Sequence, residues 1–506
     1  MRSTLFTLAV LSGAFSTLAQ AEPQQAGSAP PAAAQPAAKP PAPSEKGPMK
    51  SITFDRFGTV ALTHPQGAPR SVAIVLFTGP AADTTAKTLA NAGALVLIVD
   101  TAHYLEAFRH AGKCAYPAGD LEALAQYTEK TLDFPEYLHP ILVGSGPGSA
   151  IAYASLAQAP ENTFLGAMSI GFRPEVAQPI PTCKAGGLPH SRSANGKAEV
   201  FGSVPALNAP WRLIPGLKES KEDLERQQAF IQNMQGAQLV PLPAGPQSPE
   251  ARQALIQQSY TELATPSAPA TPAPVASAPA AASDAGVPSA DASTPSQLES
   301  VTDLPLIEVP APTPSPDSFA LLISGDGGWA GIDRQLAAAL NTQGLSVVGL
   351  DSLRYFWKRR TPEDTARDVA RAVTHYLAAW HTKSAVLMGY SRGADVLPAT
   401  VARLPPELRQ RVKLVALVAP GRIAEFEVHV TDLLGGGGGD YEILPEAQAL
   451  GGMPLLCIYG DAEIDESLCP LLKDMKGAKS LMLPGGHHFG GDYNRVARAI
   501  IDSLGP

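Results

Sequence analysis

The sequence predicts an α/β protein made of two tandem units, each with a mainly parallel sheet. Three observations carry this: short apolar runs alternate with amphipathic helical segments, the same order of runs occurs twice, and Ala/Pro-rich tracts separate the two occurrences. Alternating strands and helices imply parallel strands covered on both faces. At roughly 150 residues per domain, 506 residues exclude a single small module, and an apolar share of 45% supplies ample core. The net charge of -9 lacks the basic footprint that holds phosphates, so no nucleic-acid partner is expected. Residues 22–48 and 265–296 are Ala/Pro/Ser-rich and aperiodic and cannot bury enough surface to offset ordering. They divide the chain into a leader (1–21), an Ala/Pro-rich segment (22–48), a first unit (49–264), a linker (265–296) and a second unit (297–506).

The leader reads as a secretory signal. Arg2 supplies the positive start, Leu5 to Phe15 an apolar stretch, and Ala19-Gln20-Ala21 a small-residue cleavage site. That stretch falls short of the roughly 20 residues a membrane span needs, so export by a cleaved signal is expected. Four cysteines in an oxidising compartment suggest two disulfides. Of the three possible pairings, Cys114 with Cys183 and Cys457 with Cys469 is favoured, because each pair then stays within one unit.

In the second unit strands are expected at Phe319 to Ser324, Leu345 to Leu350, Ser384 to Met388, Val412 to Val418, Leu455 to Tyr459 and Lys479 to Leu483. A helix follows Thr361, which can cap it, with Pro362 in the first turn and Glu363 and Asp364 suiting the dipole. Ala366, Val369, Ala370, Val373, Tyr376, Leu377 and Trp380 then recur at helical spacing. The first unit repeats the pattern: Val72 to Thr78 matches the Phe319 strand, Ala94 to Asp100 matches Leu345 to Asp351, and Ile141 to Gly144 matches Val386 to Gly389. Asp100 with Tyr104 mirrors Asp351 with Tyr355, as an internal duplication would produce.

Gly389-Tyr390-Ser391-Arg392-Gly393 follows the Ser384 strand and opens a helix. In that context G-x-S-x-G is a nucleophile elbow, and each unit is expected to be α/β-hydrolase-like. Serine alone is a poor nucleophile, and in this arrangement an acid and then a histidine follow it. Glu463 or Asp465 is the expected acid, and Asp461 reads better as a turn residue accepting backbone N–H groups. The expected base is His487, with His488 as the alternate. Adjacent histidines rarely point the same way and no third ligand stands near, so neither metal nor cofactor is expected. The amide of Arg392 and an amide of the glycine-rich Gly325-Asp326 turn are the expected oxyanion donors.

The first unit aligns Gly146 with Ser391 and Pro246 with His487, so it reads as catalytically silent. Beyond the Leu345 strand, Arg354, Tyr355, Trp357 and Lys358 interleave basic and aromatic side chains, which suits an anionic lipid headgroup or a core-packing aromatic cluster with a solvated basic tail. Asp395 is placed either to meet a cationic substrate group or to answer the helix dipole.

The elements Ser324-Gly325-Asp326-Gly327-Gly328-Trp329, Tyr355-Phe356-Trp357 with Thr361-Pro362-Glu363, the elbow through Asp395, and Gly486-His487-His488-Phe489 with Gly491-Asp492-Tyr493 resemble the AcvB/VirJ family of bacterial periplasmic virulence proteins. The second unit resembles the short type, and the whole chain resembles the longer type with a silent first half. The resemblance implies a periplasmic serine hydrolase that removes lysine from lysyl-phosphatidylglycerol, with an aminoacylated anionic phospholipid at the membrane surface as its partner. It also allows a different class, a non-catalytic binding or chaperone-like partner of secretion-system proteins.

Overall fold

The computed structural model describes residues 48–110, 114–183, 187–217, 219–242, 248–265, 300–429 and 441–505. The expected leader, nearly all of the 22–48 and 265–296 tracts, Pro246 and the Gly435 to Gly439 run lie outside the described residues.

The first sheet contains β1 (Ser51–Phe54), β2 (Gly58–Thr63), β3 (Ser71–Leu76), β4 (Ala94–Ile98), β5 (Ile141–Ser145), β6 (Gly166–Ile170), β7 (Ala206–Ile214) and β8 (Gln235–Leu239). Their spatial order is β1-β2-β4-β3-β5-β6-β7-β8, antiparallel over the first three and parallel thereafter. The second sheet contains β9 (Leu306–Val309), β10 (Ser318–Ile323), β11 (Val347–Leu350), β12 (Ser384–Tyr390), β13 (Val412–Val418), β14 (Leu455–Gly460) and β15 (Ala478–Leu483). Its order, β9-β11-β10-β12-β13-β14-β15, repeats that of the first from β2 onward, again with one antiparallel edge. The architecture is therefore mixed α/β with mostly parallel sheets. The antiparallel edge strands β1, β2 and β9 were not among the expected elements. β1 and β2 interleave polar with apolar residues and β9 is only four residues long with Glu308 inside it, so the longer apolar runs that mark buried parallel strands are missing there.

Every residue of β10 is buried, and the pleat sends its side chains alternately into two cores. Ala320 and Leu322 pack with Leu336 and Leu340 of the Gly331–Asn341 helix and with Val496 and Ile500 of the Tyr493–Asp502 helix. Phe319, Leu321 and Ile323 face the other way, into a core continuous with that of the first sheet. Both halves thus share one apolar interior. The expected Pro362–Ala379 helix forms, with Thr361 and Asp364 in a capping box; Ala366, Val369, Val373 and Tyr376 are buried, while Ala370, Leu377 and Trp380 are only partly covered.

Equivalent polar bonds recur in the halves. Tyr104 donates its hydroxyl to Asp120 at 2.9 Å, and Tyr355 donates to Asp368 at 2.7 Å, each anchoring the helical segment after a strand to the next long helix. Disulfides join Cys114 to Cys183 and Cys457 to Cys469, the pairing favoured from sequence. Among the described residues no helix is long and apolar enough to cross a membrane.

Candidate active site

Ser391 sits between β12 and the Arg392–Ala402 helix with φ 52° and ψ −121°. This left-handed backbone is unusual for a side chain bearing a Cβ and marks stored strain. The flanking glycines make the turn possible. A Cβ on Gly389 would stand 2.2 Å from the Gly393 carbonyl, and one on Gly393 would stand 2.0 Å from the Ile323 carbonyl. Strand, turn and helix therefore meet backbone to backbone, which leaves the serine hydroxyl as the group projecting at the sheet edge.

His487 Nε2 lies 2.8 Å from Ser391 Oγ, and His487 Nδ1 lies 3.0 Å from Glu463 Oε1. With Nδ1–H donating to the carboxylate, Nε2 is left to accept the serine proton. The two loops carrying these residues are clamped together: Asp461 Oδ1 accepts the Gly485 amide at 2.9 Å, and Ala462 donates to the Gly485 carbonyl at 3.1 Å. Asp461 thus has the turn role assigned to it. Asp465 is exposed and makes no hydrogen bond to either histidine. His488 turns away, with its Nδ1 3.3 Å from the Tyr390 hydroxyl; burial and then the neighbouring His487 hold it below the usual histidine range. Of the alternatives left open, His487 and Glu463 are the pair brought to the serine.

The turn after β10 lies against the nucleophile, since a Cβ on Gly325 would be 3.6 Å from the Ser391 Cβ. Ser352 fixes this turn by donating its amide to Ser324 Oγ at 2.9 Å and its hydroxyl to the Gly325 carbonyl. Asp333, which the sequence reading did not single out, accepts the Ala330 amide at 3.2 Å and is approached by the Gly325 amide; burial lifts its carboxyl to about 7. The Gly325 amide is thus turned toward Asp333, while Asp326 stands exposed at the tip of the turn. The only signal for Asp333 was an acid in a first helical turn, which is commonplace.

The basic and aromatic segment does not face solvent as a unit. Tyr355 and Trp357 are buried, and the Trp357 indole donates to the Phe134 carbonyl of the first half at 3.0 Å. Lys358 pairs with Asp133 at 2.5 Å and Arg354 with Glu136 at 3.8 Å. Tyr355 and Trp357 are therefore corrected from substrate contacts to packing residues, because burying their rings between the halves removes more apolar surface from water than a headgroup contact could. Asp395 accepts the Gly421 amide at 2.7 Å, and burial raises it to about 7. Its electrostatic neighbours include Arg392, Asp326 and Glu425, so the surroundings of the nucleophile are rich in acids.

The first half reaches the site from two directions. Asn162 donates to the Trp329 carbonyl at 2.6 Å, beside the oxyanion turn. Lys130 donates to Glu427 Oε1 at 3.3 Å, while the Glu427 carbonyl accepts from the Arg392 guanidinium at 2.9 Å. Neither link joins residues close in sequence, so no local pattern announced them. Among the described residues no cluster of His, Cys, Asp and Glu could hold a metal ion.

Strand order, elbow and the serine–histidine–carboxylate line define a hydrolase-like α/β fold. Residues 317–505 match the family model described as bacterial virulence protein (VirJ), in agreement with the resemblance carried by the motifs. Among solved structures, the chain is similar to Est1E from Butyrivibrio proteoclasticus (14% identity, 40% of this chain and 93% of that one, TM-score 0.31). It is also similar to a proline iminopeptidase from Mycobacterium smegmatis (13% identity, 39% and 93% coverage, TM-score 0.30). A third is LpqC, a poly(3-hydroxybutyrate) depolymerase from Bordetella parapertussis (16% identity, 39% and 83% coverage, TM-score 0.28). No curated protein matches the sequence.

Proposed function

We propose that this chain is a periplasmic serine hydrolase that cleaves the aminoacyl ester of lysyl-phosphatidylglycerol. The observation that carries the reading is the hydrogen-bonded line from Glu463 through His487 to Ser391 at the apex of the elbow. His487 takes the Ser391 proton as Oγ attacks the ester carbonyl, and the resulting oxyanion receives the amides of Arg392 and Asp326. His487 then returns the proton to the departing glycerol oxygen, which releases phosphatidylglycerol and leaves lysyl-Ser391. Water, deprotonated by the same histidine, attacks that ester and releases lysine. Glu463 orients the imidazole and stabilises its charged form. A cationic acyl group suits the acids around the nucleophile, with Asp395 nearest in sequence to Ser391 among them. Two disulfides favour an oxidising compartment, in keeping with the signal expected at the N-terminus. The first half is the silent copy in this reading, since glycine occupies its elbow apex. The direct test is to incubate the purified chain with vesicles of aminoacyl phospholipids and identify released head groups by mass spectrometry. Lysine release abolished by Ser391→Ala supports the reading; release from no member of the panel overturns the substrate.

A further inference from the structure

The first half keeps the elbow without the nucleophile and has a cavity where a substrate would enter. Gly146 holds φ 56° and ψ −132°, ahead of the Pro147–Gln158 helix. Around it opens a cavity of about 1040 Å³, at the upper end of the roughly 300–1,000 Å³ of small-molecule sites. Phe77, Ile170, Leu217 and Ile256 give it apolar walls. Into the same space faces Arg252, which is only 9% exposed. Its Nε has no hydrogen-bond partner among the described residues. The acid that acts on it electrostatically, Glu219, is already engaged, accepting the Gly216 amide at 2.7 Å and the Gln227 side chain at 2.6 Å. Arg252 also stands in the first turn of the Pro249–Ala264 helix, the end where the dipole disfavours a cation. A buried guanidinium Nε–H with no partner among the described residues is costly, and an anion supplied from outside would relieve that cost.

We propose that this cavity is a second, non-catalytic binding site for an anionic long-chain amphiphile, its head between Arg252 and the N-terminal end of the Pro147–Gln158 helix and its chain along the apolar walls. Both groups at the head end are electropositive, and helix N-termini accept anions readily. The site is separate from Ser391 and needs no chemistry there.

Calorimetric titration of the full chain tests this, with dodecanoate, dodecyl phosphate, dodecanol and inorganic phosphate as probes. The two anionic amphiphiles should bind saturably and raise the thermal midpoint, with inorganic phosphate at least tenfold weaker than either. Arg252→Met should weaken both amphiphiles at least tenfold while leaving dodecanol unchanged. Thr84→Trp, on the exposed side of a lining helix, should narrow the cavity and weaken binding of all the long-chain probes. Ester hydrolysis should match wild type in both variants, which shows that they fold. Dodecanoate affinity unchanged in both variants, equal affinity for dodecanoate and dodecanol, or no binding of either anionic amphiphile would each overturn the proposal.

Discussion

Ser391 and Gly146 hold nearly the same backbone conformation, φ 52° and ψ −121° against φ 56° and ψ −132°, at the apex of equivalent strand–turn–helix elbows. The flanking glycines are equivalent too: a Cβ on Gly148 would stand 1.6 Å from the Leu76 carbonyl, as one on Gly393 would crowd that of Ile323. The turn is thus a property of the fold, and of the two apex residues only Ser391 adds a hydroxyl to it.

Replacing Ser391 with Ala should lower ester turnover by at least on the order of 10³-fold with the fold intact, leaving oxyanion and binding effects. Gly146→Ser should create no activity. Steady-state kinetics on a soluble ester checks both, and turnover near wild type in Ser391→Ala would remove that residue from the mechanism.

Glu463→Gln keeps the side-chain length but removes the charge that orients His487, so kcat should fall on the order of 10²-fold or more. Asp465→Asn should leave kcat near wild type, because Asp465 does not reach the imidazole. Parallel assays of the two variants decide between these acids.

Asn162 and Lys130 make the first half a buttress for the site. Asn162→Ala and Lys130→Met should each lower kcat severalfold, with smaller effects on KM, because they loosen the oxyanion turn and the segment held by Arg392. Trp357→Ala should cost about 3–5 kcal/mol, as large buried aromatics do. It also leaves the Phe134 carbonyl without its donor. Chemical denaturation measures the second effect; a loss below 1 kcal/mol would mean that the seam contributes little.

Burial lifts Asp395 to about 7 from an ordinary 3.8, so the folded chain holds a proton there that the unfolded chain releases. Its contribution to stability is present below about pH 4 and is lost as pH rises through 7. Asp395→Asn should therefore flatten the stability curve between pH 4 and 7. If the carboxylate meets a lysyl ammonium, KM for a lysyl ester should also fall as pH rises through 7, whereas a neutral acetyl ester should show no such change. Identical pH profiles for the two esters would confine Asp395 to its bond with Gly421.

Local chemistry made part of this protein legible in its sequence. The glycines around Ser391, the cap at Thr361, the apolar runs of β10 and β12 and the turn signals before His487 each act within a few residues, so pattern and structure coincide. The tertiary structure brings Glu463 rather than Asp465, and His487 rather than His488, within hydrogen-bond reach of the line to Ser391, because one residue along a loop changes where a side chain points. It also decided the fate of Tyr355 and Trp357. An aromatic and basic run reads alike whether it faces a lipid or a neighbouring domain, and only the apposition of Phe134 and Tyr137 from the other half buries it. Asp333, Asn162, Lys130 and Arg252 carried no sequence signal for the same reason: their partners, or the lack of them, are set by segments remote along the chain. Local propensities marked the central parallel strands of the two sheets; the packing of one half on the other set what surrounds Ser391.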